Sequence, residues 1–197
     1  MISLIQKFIL PILLLLSCTP QAENETGQIV IKGALEQIGK TVRYDPSYQK
    51  IPYPGGDVPL DRGVCTDVVI RAFRKAGIDL QLLVQEDIRK SLGTYLKNLG
   101  FKTKMPDPNI DHRRVPNLMT FFKRQGKSAV ISSQAKDYLP ADIVVWKLTN
   151  GLNHIGIVSD RYVSSEERYL IVHNIGAGAQ LEDILFKYKV IGHYRFF

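Results

Sequence analysis

Residues 140–159 read PADIVVWKLTNGLNHIGIVS. Two apolar runs, Ile143 to Leu148 and His154 to Ser159, flank the turn signal Asn150-Gly151, the pattern of an antiparallel hairpin. A third run, Tyr169 to His173, follows a polar turn at Ser164 to Glu167 and extends the hairpin into a meander. A last strand is expected over Val190 to Phe197.

Upstream the apolar period becomes helical. Ile31, Ala34, Leu35 and Ile38 keep that spacing from Gln28 and stop at Gly39. The next helix, Cys65 to Ala76, sets Val68, Val69, Ala72, Phe73 and Ala76 on one face and Arg71, Arg74 and Lys75 on the other, and Gly77 ends it. Further helices are expected over Leu80 to Leu99, with a weak point at Gly93, and over Asn117 to Arg124, stopped at Gly126. Helices first and strands later predict an α+β domain, with N-terminal helices packed on a C-terminal antiparallel sheet. Between the first two helices, Tyr44 to Gly63 carries Pro46, Pro52, Pro54, Pro59 and Gly55-Gly56. It is expected to be irregular and to wall a cleft lined by Tyr44, Tyr48 and Tyr53.

With 197 residues, 45% of them hydrophobic and 23% charged, the chain is sized for one globular domain plus a targeting segment, not for a fibrous or disordered protein. The apolar run Phe8 to Leu16 after Lys7 is shorter than the roughly 20 residues a membrane span needs, and reads as the core of an export signal. Leu15-Leu16-Ser17-Cys18 resembles a lipobox that would place a lipid on Cys18; Thr19 in place of Asp after it favours the outer membrane by resemblance to bacterial sorting rules. The alternative is an ordinary signal peptide cut near Ala22, where Pro20-Gln21-Ala22 makes a poor small-x-small site. The expected division is a signal over 1–18, a polar tether over 19–26 and one catalytic domain over 27–197.

Either cleavage leaves Cys65 as the one free thiol, so no disulfide is expected within the chain. The formal charge of +7 falls by about one unit when Lys7 leaves with the signal. The mature chain stays basic enough to attract peptidoglycan or another anionic envelope polymer. The basic residues are scattered, which argues against nucleic acid as a partner.

Cys65 follows Gly63 and opens a helix, where free backbone N–H groups and the helix dipole favour a thiolate and can receive an oxyanion. It also continues the apolar face of that helix, and a cysteine used as a small core hydrophobe would sit there equally well. Position alone leaves both readings open. His154 opens the second strand of the meander and His173 closes the third, so antiparallel pairing can bring them together as a base and its orienting partner. Asn174 is the rival for that third place; alternation along the strand allows only one of the two to face the cleft, and His173 is preferred. Asp111-His112-Arg113-Arg114 reads by default as a solvated loop, with Arg113 or Arg114 as the candidate ligand for a substrate carboxylate. No two cysteine or histidine residues lie close enough for the usual zinc spacing, so neither a metal nor a cofactor is expected.

The order Cys65 at a helix start, Pro140-Ala-Asp-Ile-Val-Val-Trp146, His154-Ile-Gly-Ile-Val and Ile-Val-His173 resembles the NlpC and p60 superfamily of papain-like cell-wall cysteine peptidases. Several further segments resemble the family called domain of unknown function 1287. These are Tyr53-Pro-Gly-Gly-Asp-Val-Pro, Arg62-Gly-Val-Cys-Thr-Asp-Val-Val, Asn109-Ile-Asp-His-Arg-Arg-Val-Pro-Asn-Leu, Val172-His-Asn-Ile-Gly-Ala-Gly and Gly192-His-Tyr-Arg. The resemblance implies a papain-like fold and a triad of Cys65, His154 and His173. Where that superfamily usually has Asp-Cys-Ser-Gly, this chain has Val64-Cys65-Thr66-Asp67. Asp67 would disfavour a thiolate unless its carboxylate faces an amide or a cation. Tyr53, Asp67 and His112 join the two arginines as substrate-side candidates. The function implied is an exported cysteine hydrolase of the cell envelope, cutting amide bonds of peptidoglycan stem peptides. The alternatives are a non-catalytic binding module that keeps the cleft, and a thioester-forming acyltransferase.

Overall fold

The computed structural model describes residues 20–99 and 105–197. The export signal and Cys18 lie outside the described residues. Among the described residues, no helix is long and apolar enough to cross a membrane.

Among the described residues four α-helices precede the main sheet: α1 (Pro20–Leu35), α2 (Cys65–Lys75), α3 (Leu80–Leu99) and α4 (Val115–Arg124). Two short strands, β1 (Arg43–Tyr44) and β2 (Arg62–Gly63), pair in parallel. Five more form one antiparallel sheet: β3 (Ile143–Lys147), β4 (Asn153–Val163), β5 (Arg168–His173), β6 (Gln180–Glu182) and β7 (Lys189–Tyr194), in the order β6-β5-β4-β3-β7. The expected α+β order and the meander β3-β4-β5 are both present.

Alternation divides the sheet cleanly. Ile143, Val145, Ile155, Ile157 and Val172 pack with Val68, Val69 and Phe73 of α2 and Leu118 and Phe122 of α4. Val144, Trp146, Val158 and Ile171 face the other way and are covered by Tyr138, Ile184 and Leu185. The second face is therefore closed by the segment between β6 and β7, which carries no apolar period of its own.

Several expectations are corrected. The first helix, expected from Gln28, is already helical at Pro20. The break in α3 falls at Ser91 (φ −143°, ψ 37°), two residues before Gly93, and the Ser91 hydroxyl takes a hydrogen bond from Arg124 of α4. Arg71, placed by helical period on the polar face of α2, is buried. The segment between β1 and β2 folds over it: its guanidinium donates to Asp57 (2.8 Å), Thr41 (3.0 Å) and the carbonyls of Val58 and Arg62 (3.1 and 3.0 Å). A proline-rich loop with little pairing of its own is thus organised around one buried cation.

Candidate active site

Cys65 is the first residue of α2, after Val64 in extended conformation. The Asp67 carboxylate accepts from the Val64 N–H at 2.6 Å, half of a capping box, and fixes the turn into the helix. Its two oxygens also receive Arg113 Nε (2.8 Å) and Nη2 (2.9 Å) in a fully buried bidentate pair. Asp67 therefore faces both an amide and a cation, which meets the condition for tolerating an acid beside the thiol. Thr66 Oγ1 donates to the Arg113 carbonyl at 2.9 Å, so the helix start is bolted to the 3-10 turn Asp111–Arg113.

The two histidines meet through sheet register. Trp146 is opposite His154 across β3 and β4, and Gly156 is opposite His173 across β4 and β5. His154 and His173 are thus diagonal neighbours on one face. Their rings meet edge-on, with His154 Nε2 3.0 Å from His173 Nδ1. The Trp146 ring lies 5.8 Å from that of His154, and Trp146 Nε1 is anchored on the Leu185 carbonyl. Gly156 is required for this approach: a Cβ there would stand 2.7 Å from Ile171 Cγ2 and 3.2 Å from His173 Cβ.

The strand β5 ends at His173, and it is Asn174, not the expected His173, that turns to the Cys65 side. Its amide donates to the carbonyls of Gly63 (3.0 Å) and Arg43 (3.4 Å), tying the end of β5 to the backbone that leads into Cys65. The thiol then lies against β4, where the backbone of Ile155, the residue after His154, hydrogen-bonds the sulfur.

The resting charges follow from burial. Cys65 is 5% exposed and His154 2%. Burial pushes the thiol up to about 12; N–H groups of Ile155, Thr66 and Cys65 itself pull it down, and the Asp67 charge adds to the rise. Burial, and then the neighbouring His173, pushes His154 down to about 3. At neutral pH both are uncharged; His154, opposite Trp146, shares the sheet face of Trp146, Val158 and Ile171, whereas Cys65 packs with the α2 core on the other face.

A cleft of about 440 Å³ opens at Cys65, walled by Tyr44, Pro46, Ile110, Pro116 and Leu152 and edged by Arg114 and Lys147. Of the three loop tyrosines only Tyr44 lines it. Tyr53 instead packs under Arg89 of α3 (5.7 Å), and Tyr48 bonds Asp107. His112 is buried, and burial pushes it down to about 4. Arg113 and Arg114 both line the cleft, and the guanidinium of Arg113 is committed to Asp67. One neighbour was not singled out from the sequence: Glu182 Oε2 lies 2.9 Å from His173 Nε2, close enough for an ion pair although outside hydrogen-bond alignment. Among the described residues no cluster of acidic, cysteine and histidine side chains is suited to a metal ion.

Cys65 thus opens a helix packed on one face of the antiparallel sheet, and the two hydrogen-bonded histidines belong to the other face. Residues 31–196 match the family described as Domain of unknown function (DUF1287), and the chain belongs to it. It is 52% identical over 177 residues to the uncharacterized protein YijF of Escherichia coli K12, covering 90% of this chain and 85% of that protein. Among solved structures it is similar to a lipoprotein-like NLP/P60 family protein of Staphylococcus aureus, at 15% identity and a TM-score of 0.44. That match covers 87% of this chain and spans 41% of the staphylococcal protein. It is also similar to an N-acetylmuramoyl-L-alanine amidase of Bacteroides uniformis, at 13% identity and a TM-score of 0.44, covering 86% of this chain and 97% of that one.

Proposed function

We propose that the chain is an exported cysteine hydrolase of the cell envelope that cleaves amide bonds in peptidoglycan stem peptides, with Cys65 as nucleophile, His154 as base and His173 as the residue that orients it. The observation that carries this reading is the 3.0 Å bond between two buried imidazoles in the sheet against which the Cys65 helix start, itself at a cleft, is packed; the reading requires the His154 ring to turn toward the thiol. With His154 Nε2 engaged by His173, the other ring nitrogen, Nδ1, is left to take a proton. His154 removes the thiol proton as the sulfur attacks the carbonyl carbon, and the helix-start N–H groups receive the oxyanion. The protonated His154 then gives its proton to the leaving amine. Water, deprotonated by His154, hydrolyses the thioester and regenerates the thiol. Because thiol and imidazole both rest neutral, proton transfer accompanies attack. Lys147, exposed at the cleft, suits the carboxylates of acidic stem peptides.

The test is to incubate purified sacculi with the protein and identify released fragments by mass spectrometry. The wild type should release fragments with newly hydrolysed amide bonds, and Cys65→Ala and His154→Ala should release none. Equal release by Cys65→Ala would remove the nucleophile. The second reading, a binding module, is favoured by the burial of the thiol; it predicts co-sedimentation with sacculi that Cys65→Ala leaves intact, and no products.

A further inference from the structure

We propose that Glu182 is a positioning residue that fixes the protons along the line Glu182–His173–His154, and so keeps Nδ1 of His154 free to act as a base. The inference rests on the reading of Cys65 and His154 given above, and it adds a residue on which that reading does not depend.

The geometry begins with register. Across β5 and β6, Ile171 is opposite Glu182 and His173 is opposite Gln180. Opposite partners share a face, and residues two apart on one strand share a face. Glu182 is therefore the diagonal neighbour of His173 on one side, as His154 is on the other. The three side chains run diagonally across three strands, with spacings of 2.9 Å from Glu182 Oε2 to His173 Nε2 and 3.0 Å from His173 Nδ1 to His154 Nε2.

Proton placement follows from which atoms can donate. An ionised carboxylate only accepts, so the nitrogen of His173 that faces it carries the hydrogen. In neutral His173 that leaves Nδ1 as an acceptor. His154 Nε2 must then donate to it, and in neutral His154 the lone pair sits on Nδ1. Without Glu182, which stands 2.9 Å away though off the hydrogen-bond line, His173 Nε2 would have no acceptor within reach, and its proton would be better placed on Nδ1. His173 would then donate to His154 Nε2, the His154 proton would move to Nδ1, and the base would be lost. A doubly protonated His173 has the same effect.

Three titratable groups act on His173: Glu182 from β6, His154 from β4, and Lys187 from the segment before β7. Burial pushes His173 down, Glu182 opposes this, and Lys187 adds to it. The net direction keeps His173 singly protonated at neutral pH, which is the state the relay requires. Glu182 is partly exposed, its side chain at 40%, while His173 is closed off at 0%. The carboxylate thus faces solvent on one side and a buried imidazole on the other.

The experiment is ¹⁵N NMR of the ring nitrogens in the full-length protein in detergent micelles, for wild type, Glu182→Ala and Glu182→Gln, followed by peptidoglycan release against pH. In the wild type near pH 7, both His173 and His154 should be protonated on Nε2. Glu182→Ala should move the His173 proton to Nδ1 and that of His154 with it, and should lower the rate by about ten- to a hundredfold, the usual effect of losing a group that orients a ligand or base through another. Glu182→Gln keeps an acceptor and should restore both tautomers and most of the rate. It removes the charge that favours the His173 cation, so the acid limb of its rate profile should shift to lower pH. A group that merely held β6 in place would move neither the tautomers nor the limb. Wild-type Nδ1 protonation on His154, or unchanged tautomers in Glu182→Ala, would overturn the proposal. If the tautomers behave as expected while no variant releases fragments, the relay stands and the hydrolase reading fails.

Discussion

The Cys65 sulfur receives N–H groups from Ile155, Thr66 and its own backbone, all of which favour a thiolate, yet desolvation outweighs them and holds the thiol near about 12. A neutral His154 supplies no charge to offset this. Alkylation by iodoacetamide at pH 7 should therefore be more than tenfold slower than for a free cysteine, whose pKa is about 8.5, and should climb past pH 9 without a plateau. His154→Ala should leave that profile nearly unchanged. A plateau near pH 7 that disappears in His154→Ala would show a preformed ion pair and contradict the neutral one. The Asp67–Arg113 pair makes a second demand at this scale. Both side chains are almost wholly buried, so Arg113→Met would leave Asp67 as an unpaired charge beside the nucleophile. Urea denaturation should show a loss of about 3 to 5 kcal/mol, the usual cost of breaking a buried pair from one side. A loss below about 1 kcal/mol would mean that solvent reaches the carboxylate.

The strand pair β4–β5 is the element on which the site depends, and Gly156 is its tightest point. An added methyl would stand 2.7 Å from Ile171 Cγ2 and 3.0 Å from the Val172 carbonyl, so β5 would have to move away from β4. Gly156→Ala should cost about 1 to 3 kcal/mol of stability, as overpacking does. It should also lengthen the bond between His154 and His173, so the rate of fragment release falls further than the loss of folded protein explains. Full activity in a folded Gly156→Ala variant would show that the diagonal contact is not needed. This diagonal was legible in the sequence because a period of two through both strands puts His154 and His173 on one face once a meander is assumed. Glu182 was not, since β6 has only three residues and follows a glycine-rich loop with no alternation to read. Nor was the burial of Arg71, because helical period assigns a face to a residue without showing that a loop will close over it. The Asp67–Arg113 pair spans 46 positions and joins two elements whose docking no local pattern encodes. Local periodicity thus reveals a site laid out along adjacent strands, and misses the parts assembled by loops that fold back.

Across the whole molecule the buried imidazoles act together on stability. His112, His154 and His173 are closed off from solvent and held below the ordinary histidine range chiefly by desolvation, to about 4 for His112 and about 3 for His154. In the unfolded chain each titrates near 6.5. Between that value and the folded one, the unfolded state binds more protons, so unfolding becomes easier as pH falls. The stabilisation is complete above about pH 6.5 and is lost progressively toward pH 3 to 4, at up to about 1.4 kcal/mol per pH unit for each histidine. Asp142 is buried, which opposes ionisation, but the hydrogen bonds of His193 and Arg195 prevail and hold its carboxyl low. Its contribution is present above the usual carboxylate range and fades as pH falls through its folded value, so it acts in the same direction. Asp111, raised by burial, works against this trend over the carboxylate range only. The urea midpoint should therefore drop clearly between pH 7 and pH 5, before most carboxylates titrate. His112 lies outside the proposed relay and its Nδ1 has no hydrogen-bond partner, so His112→Gln is the informative variant. It should flatten the slope between pH 7 and pH 5 while leaving the His154–His173 pair in place. Equal midpoints at the two pH values in the wild type would mean that water reaches these rings and that their titration is not displaced from the ordinary histidine range.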